Sequence, residues 1–337
     1  MKILISSHAF APSIGGIETV SALLADEFVR FGHLVTVVTQ TPASRADEFP
    51  YLVLRQPSLK ELRKVIRWSD VYWQNNLSLR TLWPAFLISR PIVITHQGSY
   101  RRAPHGIDFV QRLKHGAVRH TMSVAGSQAI AACFATNSTI IYNPYDAGNF
   151  SLGTSHVERT ADLIFLGRLV SEKGVDLLLE SLAILRARNL FPGLTIVGGG
   201  PELAMLEQLV GKLGLDGQVT FTGPKRGREL RALLGQHKIL VVPSRYDEPF
   251  GIVALEGIAS GCVVVGSEGG GLPEAIGPCG LTFPNGDAKA LAGALASLLN
   301  SPNECNRLRE QAASHLAKFH PATVAQSYLA LFRAQLA

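Results

Sequence analysis

Two carboxylates, Glu248 and Glu256, stand eight positions apart in Glu248-Pro249-Phe250-Gly251-Ile252-Val253-Ala254-Leu255-Glu256. A helix start is expected between them. Asp247 or Glu248 can cap it, Pro249 suits the first helical position, and an apolar run follows. The N–H groups near Phe250, Gly251 and Ile252 would then point at whatever lies in front of the helix. The positive end of the helix dipole favours an anion such as phosphate there. Glu256 would lie up to about 12 Å further along if the whole span is helical. Such a stretch could hold an extended ligand with a polar ring at each end and phosphates between. A nucleotide-sugar has that form.

A second group is Gly167-Arg168-Leu169-Val170-Ser171-Glu172-Lys173-Gly174, directly after an apolar strand. Arg168 can grip phosphate oxygens with its fork, and Lys173 adds a compact charge. The plain alternative is a solvated turn whose cations pair with Glu172 or Asp176. Gly15 and Gly16 close the loop after the first strand and open a helix, which permits close backbone approach. Taken alone, a plain tight turn explains them better. Gly198-Gly199-Gly200 and Gly269-Gly270-Gly271 also follow strands, with the same two readings. His96 ends the strand Pro91–Thr95 beside Gln97-Gly98 and would face a ligand from there; a packed core histidine is the alternative.

Other chemistries find no support. The dinucleotide fingerprint, the NTPase phosphate loop and the serine-hydrolase elbow are all missing. The ten histidines lack metal-ligand spacing, and His115 and His120 read as surface residues. No metal site is expected. Cys133, Cys262, Cys279 and Cys305 are scattered, so neither structural zinc nor a disulfide framework is expected, and a reducing cytoplasm is the default. The N-terminal MKILISSHAF reads as a strand rather than a secretion signal.

The elements that must position these residues are strands alternating with helices. Seven strand candidates precede residue 143 and five follow residue 162, with amphipathic stretches such as Glu18–Phe31, Val175–Arg188 and Glu202–Leu213 between them. Near-continuous apolar strands argue for parallel sheets covered by helices on both faces. A dozen strands suit two sheets of about six. The expected fold is α/β, with two doubly wound Rossmann-like domains facing across a cleft. The break falls in Asn143–Glu158, giving domains 1–146 and 147–320. Ligands in such sheets sit beyond the carboxyl ends of the strands.

Charge is unevenly spread. Residues 1–146 hold 15 basic against 9 acidic residues, and residues 147–337 hold 17 of each, so the whole net charge of +6 lies in the first part. An anionic acceptor or an anionic membrane surface would meet it, and scattered solvated arginines are the plain alternative. Nucleic acid is not expected, because no aromatic stacking platform or nucleic-acid motif accompanies the cations. One basic cluster is Arg101, Arg102, Arg112, Lys114 and Arg119. A second is Lys60, Arg63, Lys64 and Arg67, on a helix whose other face is Leu59, Leu62 and Ile66.

These motifs, taken in order, resemble the retaining glycosyltransferases of family 4, which have the GT-B fold. The resemblance rests on Gly-Arg…Lys-Gly at 167–174, Gly-Gly-Gly-Pro-Glu at 198–202, Phe-Thr-Gly at 221–223, Glu-x7-Glu at 248–256 and Gly-Gly-x-Pro-Glu at 270–274. Gly15-Gly16, His96 and Asn143-Pro144-Tyr145-Asp146 match more loosely. Pro144 departs from the usual glycine, which implies a stiffer hinge. The resemblance implies that Arg168 and Lys173 bind the donor diphosphate. Glu248 would meet the transferred sugar, and Glu256 the ribose. The N–H groups of Phe250, Gly251 and Ile252 would hold phosphate or sugar, and those of Gly15 and Gly16 the phosphate. His96 would sit near the reacting carbon. Gly199 and Lys225 would border the donor, Lys225 by the base. It also implies a terminal helix, about 321–337, that crosses back onto the first domain. No metal or cofactor is implied beyond the nucleotide-sugar itself.

The implied reaction is transfer of a sugar from a nucleoside diphosphate to an acceptor hydroxyl in cell-envelope glycan, glycolipid or polysaccharide synthesis. The acceptor would be a glycan, a lipid-linked molecule or a small molecule. The setting would be cytoplasmic, with the inner face of a membrane as the further option. The alternatives are a nucleotide-sugar epimerase of the same fold and a protein that binds nucleotide-sugars without transferring them.

Overall fold

The structure is a computed structural model. It describes residues 1–13, 15–43, 48–98, 116, 118–119, 121–134, 138–151 and 159–337. Arg101, Arg102, Arg112, Lys114, His115 and His120 lie outside the described residues. The chain divides into two compact units. One is Met1–Pro144 together with Phe319–Ala337, and the other is Tyr145–Lys318.

The first unit is built on seven parallel strands: β1 (Lys2–Ser7), β2 (Leu34–Thr39), β3 (Leu52–Arg55), β4 (Val71–Asn75), β5 (Ile92–His96), β6 (Met122–Ala125) and β7 (Thr139–Ile140). Their order in the sheet is β3-β2-β1-β4-β5-β6-β7. The central strands β1, β4 and β5 are buried along nearly their whole length, as strands covered by helices on both faces are. The helix Gly16–Arg30 lies against the C-terminal helix Pro321–Leu336. Phe28 meets Phe332 with ring centroids 5.8 Å apart, and Trp73 meets Tyr328 at 4.8 Å. The Tyr328 hydroxyl lies 2.8 Å from Thr95 Oγ1. This satisfies a polar group that is otherwise fully buried.

The second unit has six parallel strands: β8 (Ala161–Leu166), β9 (Leu194–Val197), β10 (Val219–Gly223), β11 (His237–Val242), β12 (Val263–Ser267) and β13 (Gly280–Phe283). Their order is β10-β9-β8-β11-β12-β13. This is the doubly wound 3-2-1-4-5-6 order, so the strand direction of travel reverses between β8 and β11. The edge strand β13 is the one that sequence reading missed. It has four residues, opens on glycine and follows Pro278-Cys279, so it carries almost no strand signal. Pairing with β12 holds it in place.

Candidate functional site

The loops after β8 and β11 meet at the reversal point of the second sheet. The loop after β8 forms a one-turn 3-10 helix, Ser171–Lys173, ended by Gly174 at φ 67°. A Cβ at Gly174 would stand 2.0 Å from the carbonyl oxygen of Pro243, so only glycine lets the two loops close. Arg245 N–H donates to the Glu172 carbonyl at 2.9 Å, and Arg245 pairs with Asp176 at 2.6 Å. These contacts fasten one loop to the other.

Their product is a compact polar cluster. Lys173 Nζ lies 2.6 Å from Glu248 Oε1, and Glu248 is only 5% exposed. Ser244 Oγ donates to the same oxygen at 2.6 Å. The Tyr246 hydroxyl donates to Glu248 Oε2 and accepts from Lys173 Nζ at 3.1 Å. Lys173 also stands 5.0 Å from the centre of the Tyr246 ring. Burial and the adjoining Glu248 carboxylate push the Tyr246 phenol well up, and the charge of Arg168 pulls it back. Arg168 is exposed beside this group. The structure thus brings Arg168, Lys173 and Glu248 together. Ser244 and Tyr246 were missed, because nothing in a lone serine and tyrosine after a strand marks them as ligands of a carboxylate four or two positions on.

The helix expected at Pro249 begins later. It runs Ile252–Ala259, capped by Gly251 at φ 101°. Pro249 is therefore not in its first turn, and Phe250 precedes it, buried at 2% exposure. The backbone of Glu248 is bridged to Gly270 instead, and Gly271 N–H donates to the Glu248 carbonyl at 2.7 Å. That pairing holds Glu248 against Gly270 and leaves 247–250 outside the helix. Gly251 and Ile252 remain at its start, whose N–H groups point away from the helix body. Glu256 lies within the helix and is half-buried. Burial, with the Asp146 carboxylate nearby, pushes its carboxyl up to about 8.

The glycine run after β9 has a packing reason. A Cβ at Gly198 would stand 1.8 Å from the Gly167 carbonyl oxygen, and one at Gly200 would stand 2.3 Å from that of Leu169. Gly199 is exposed, and its carbonyl accepts from Leu169 N–H at 3.0 Å. It therefore borders the Arg168 loop. Lys225, after β10, makes a 3.5 Å pair with Glu229.

In the first unit, Gly15 precedes the helix Gly16–Arg30 with extended backbone, φ 176°, and Gly16 is exposed. His96 ends β5 with no exposed surface and stacks on Phe134, ring centroids 3.9 Å apart. The side chain that sequence reading turned toward a ligand is packed beneath an aromatic ring. A buried amide chain runs along the same carboxyl edge. Asn75 donates to Ser21 Oγ at 2.8 Å, Gln97 to Asn75 at 2.8 Å, and Gln97 and Asn143 exchange hydrogen bonds at 2.9 and 2.7 Å. It ties the end of the first unit's chain, at Asn143, to β4 and β5.

Among the described residues, no group of three or more His, Cys, Asp or Glu is placed to hold a metal ion. No helix among them is long and apolar enough to cross a membrane.

Residues 153–315 match the family model of glycosyl transferases group 1. That span contains the whole Arg168–Lys173–Glu248–Glu256 set. Glycogen synthase of Mycobacterium tuberculosis is 37% identical over 209 residues, covering 58% of this chain and 49% of that protein. The D-inositol 3-phosphate glycosyltransferase of Corynebacterium jeikeium is 38% identical over 170 residues, covering 48% of this chain and 40% of that protein. The chain spans about half the length, or less, of these curated relatives. Among solved structures, Anabaena HepE in complex with UDP and glucose superposes with a TM-score of 0.80 at 21% identity, covering 99% of this chain and 100% of that one. The fold is GT-B.

Proposed function

We propose that the protein is a retaining glycosyltransferase that moves a sugar from a nucleoside diphosphate to an acceptor hydroxyl, without a metal ion. The observation that carries this is the contact of Lys173 with buried Glu248 at the reversal point of the second sheet, beside exposed Arg168. Ligands of doubly wound sheets bind at that point.

In this reading the donor diphosphate lies against Arg168, Lys173 and the helix start at Gly251–Ile252. These groups supply preorganised positive charge where negative charge develops as the sugar leaves. Lys173 is shared between Glu248 and the diphosphate. Glu248, positioned by Ser244 and Tyr246, accepts hydrogen bonds from the hydroxyls of the transferred sugar. Glu256 accepts from the ribose. Gly199 and Lys225 border the nucleoside, and in the first unit Gly15 and Gly16 offer backbone at the start of their helix. In the retaining reading, with no side chain assigned as a covalent nucleophile, the acceptor oxygen attacks from the face the diphosphate leaves, a departing diphosphate oxygen takes the acceptor's proton, and the product keeps the donor's configuration. The acceptor is a glycan, a lipid-linked molecule or a small molecule, in line with relatives that are a glycogen synthase and a D-inositol 3-phosphate glycosyltransferase.

UDP-glucose is the first donor to try, because HepE was solved with UDP and glucose. The purified protein should hydrolyse or transfer from one sugar nucleotide of a UDP, GDP and ADP panel, in excess EDTA. NMR of the product should show the donor's anomeric configuration. Inversion would remove the retaining assignment. Complete loss on chelation, restored by Mg²⁺ or Mn²⁺, would make the Asp247–Glu248 carboxylates a metal site instead. Sugar epimerised without an acceptor would favour the epimerase.

A further inference from the structure

Two segments of the first unit make a surface that the donor site does not use. The helix Leu59–Trp68 turns Leu62 and Ile66 into the core. Lys60, Lys64 and Arg67, at i, i+4 and i+7, share its outer face and are exposed. The 3-10 turn Trp83–Leu87 packs beside this helix. Its Pro84 and Ala85 are buried, yet Trp83 is 46% exposed, Phe86 43% and Leu87 65%. The Arg63 guanidinium lies 5.9 Å from the centre of the Trp83 ring. Arg90 donates to the Arg67 carbonyl at 3.0 Å. These two contacts join the basic face and the apolar edge into one patch. Beside Phe86 a groove of about 640 Å³ opens between Arg90 and Arg119. Glu61, the acid of this helix, is engaged by Ser58 in the helix cap.

Single exposed apolar residues need no explanation, but three large ones in five positions do. Their rim decides what covers them. Lysines are depleted from protein interfaces. At a bilayer surface they snorkel toward lipid phosphates while their stems cover apolar ground. The first 146 residues also hold the whole net positive charge of the chain. The Arg67 and Arg90 end of the patch lies where strands enter the sheet, since Trp68 precedes β4 and Arg90 precedes β5.

We propose that this face docks the protein on an anionic lipid bilayer. Trp83, Phe86 and Leu87 enter the headgroup region, and Lys60, Lys64, Arg67 and Arg90 meet the lipid phosphates. The patch shares no residue with the donor site, so its test stands whether or not sugar transfer is observed.

The test is sedimentation of the full chain with vesicles of phosphatidylcholine alone or with about 30 mol% phosphatidylglycerol. The expected result is binding to the anionic vesicles alone, weakening steeply as salt rises. Lys60→Ser, Lys64→Ser and Arg67→Ser should each weaken binding about fivefold. Trp83→Ser with Phe86→Ser should abolish it while the melting temperature holds, because these side chains are already half in water. Equal binding to neutral vesicles, no binding at all, or unchanged binding by the serine variants would overturn the proposal. So would a concentration-dependent dimer that Trp83→Ser dissolves, which would make the patch a contact between copies of this chain.

Discussion

Lys173 and Glu248 hold each other in a nearly dry setting, so their substitution tests two things at once. Lys173→Ala leaves a buried carboxylate without its cation, a change that costs up to about 3–5 kcal/mol. Ser244 and Tyr246 still donate to Glu248 and should keep the loss toward the low end. Denaturant unfolding of the variant reads this directly, and kinetics should be compared only where the variant is folded. There, kcat/KM should fall more than nucleoside diphosphate affinity, since the charge that Lys173 meets grows as the bond breaks. Glu256 makes a prediction about pH. In the unfolded chain it loses its proton in the ordinary carboxylate range, about 4.3. In the folded protein it does so at about 8. Between these values the folded state holds more protons than the unfolded one, so this group lowers stability as pH rises through the window. Glu256→Gln removes that penalty. Its melting temperature should match the parent near pH 4 and exceed it increasingly up to pH 8. A constant difference across the range would show that burial does not hold the proton. If ribose hydroxyls donate to Glu256, nucleotide binding at pH 7 also releases a proton, and calorimetric enthalpies will vary with the buffer.

At the scale of elements, the strand ends decide the site. Gly270 has φ 71°, and a Cβ there would stand 2.1 Å from the Glu248 carbonyl oxygen. Gly270→Ala should cost at least about 1–3 kcal/mol in backbone strain alone. It should also displace Glu248 and lower kcat, although residue 270 touches no ligand in this account. An alanine variant with parental stability and rate would show that the Glu248–Gly270 bridge is dispensable. Why some of this was legible in sequence and some was not follows from range. Apolar runs and local spacing gave twelve strands and the helix Val175–Arg186 to within two residues. They also gave the loops carrying Arg168, Lys173 and Glu248. The helix after Glu248 was placed three residues early because its delay comes from Gly270 and Gly271, some twenty positions away. The strand β13 was invisible because pairing, not propensity, makes it. Tyr246 and Ser244 could not be singled out, since their roles exist only once the β8 and β11 loops meet. The Gly198 and Gly200 readings were level in sequence, and the close approach of the Gly167–Leu169 backbone explains both glycines by packing.

At the scale of the whole molecule, the chain returns at its end to the unit in which it began. Phe332 and Tyr328 of the last helix are fully buried against Phe28 and Trp73. Phe332→Ala should destabilise the first unit by about 3–5 kcal/mol. Unfolding followed at Trp73 should shift, while binding of nucleotide to the second unit should change little at temperatures where both stay folded. Loss of nucleotide binding in a folded Phe332→Ala protein would contradict the assignment of the donor to Tyr145–Lys318. Arg168 and Lys173 are proposed to hold a nucleoside diphosphate there. Arg168 tests it most directly, because it is exposed and its removal leaves no buried charge behind. The measurement is titration calorimetry of UDP, GDP and ADP against the parent protein and Arg168→Ala. One of the three should bind the parent at one site per chain, and Arg168→Ala should weaken it by about 1.5–3 kcal/mol, roughly tenfold to a hundredfold or more. Binding of none of the three, or equal binding by parent and variant, would contradict it.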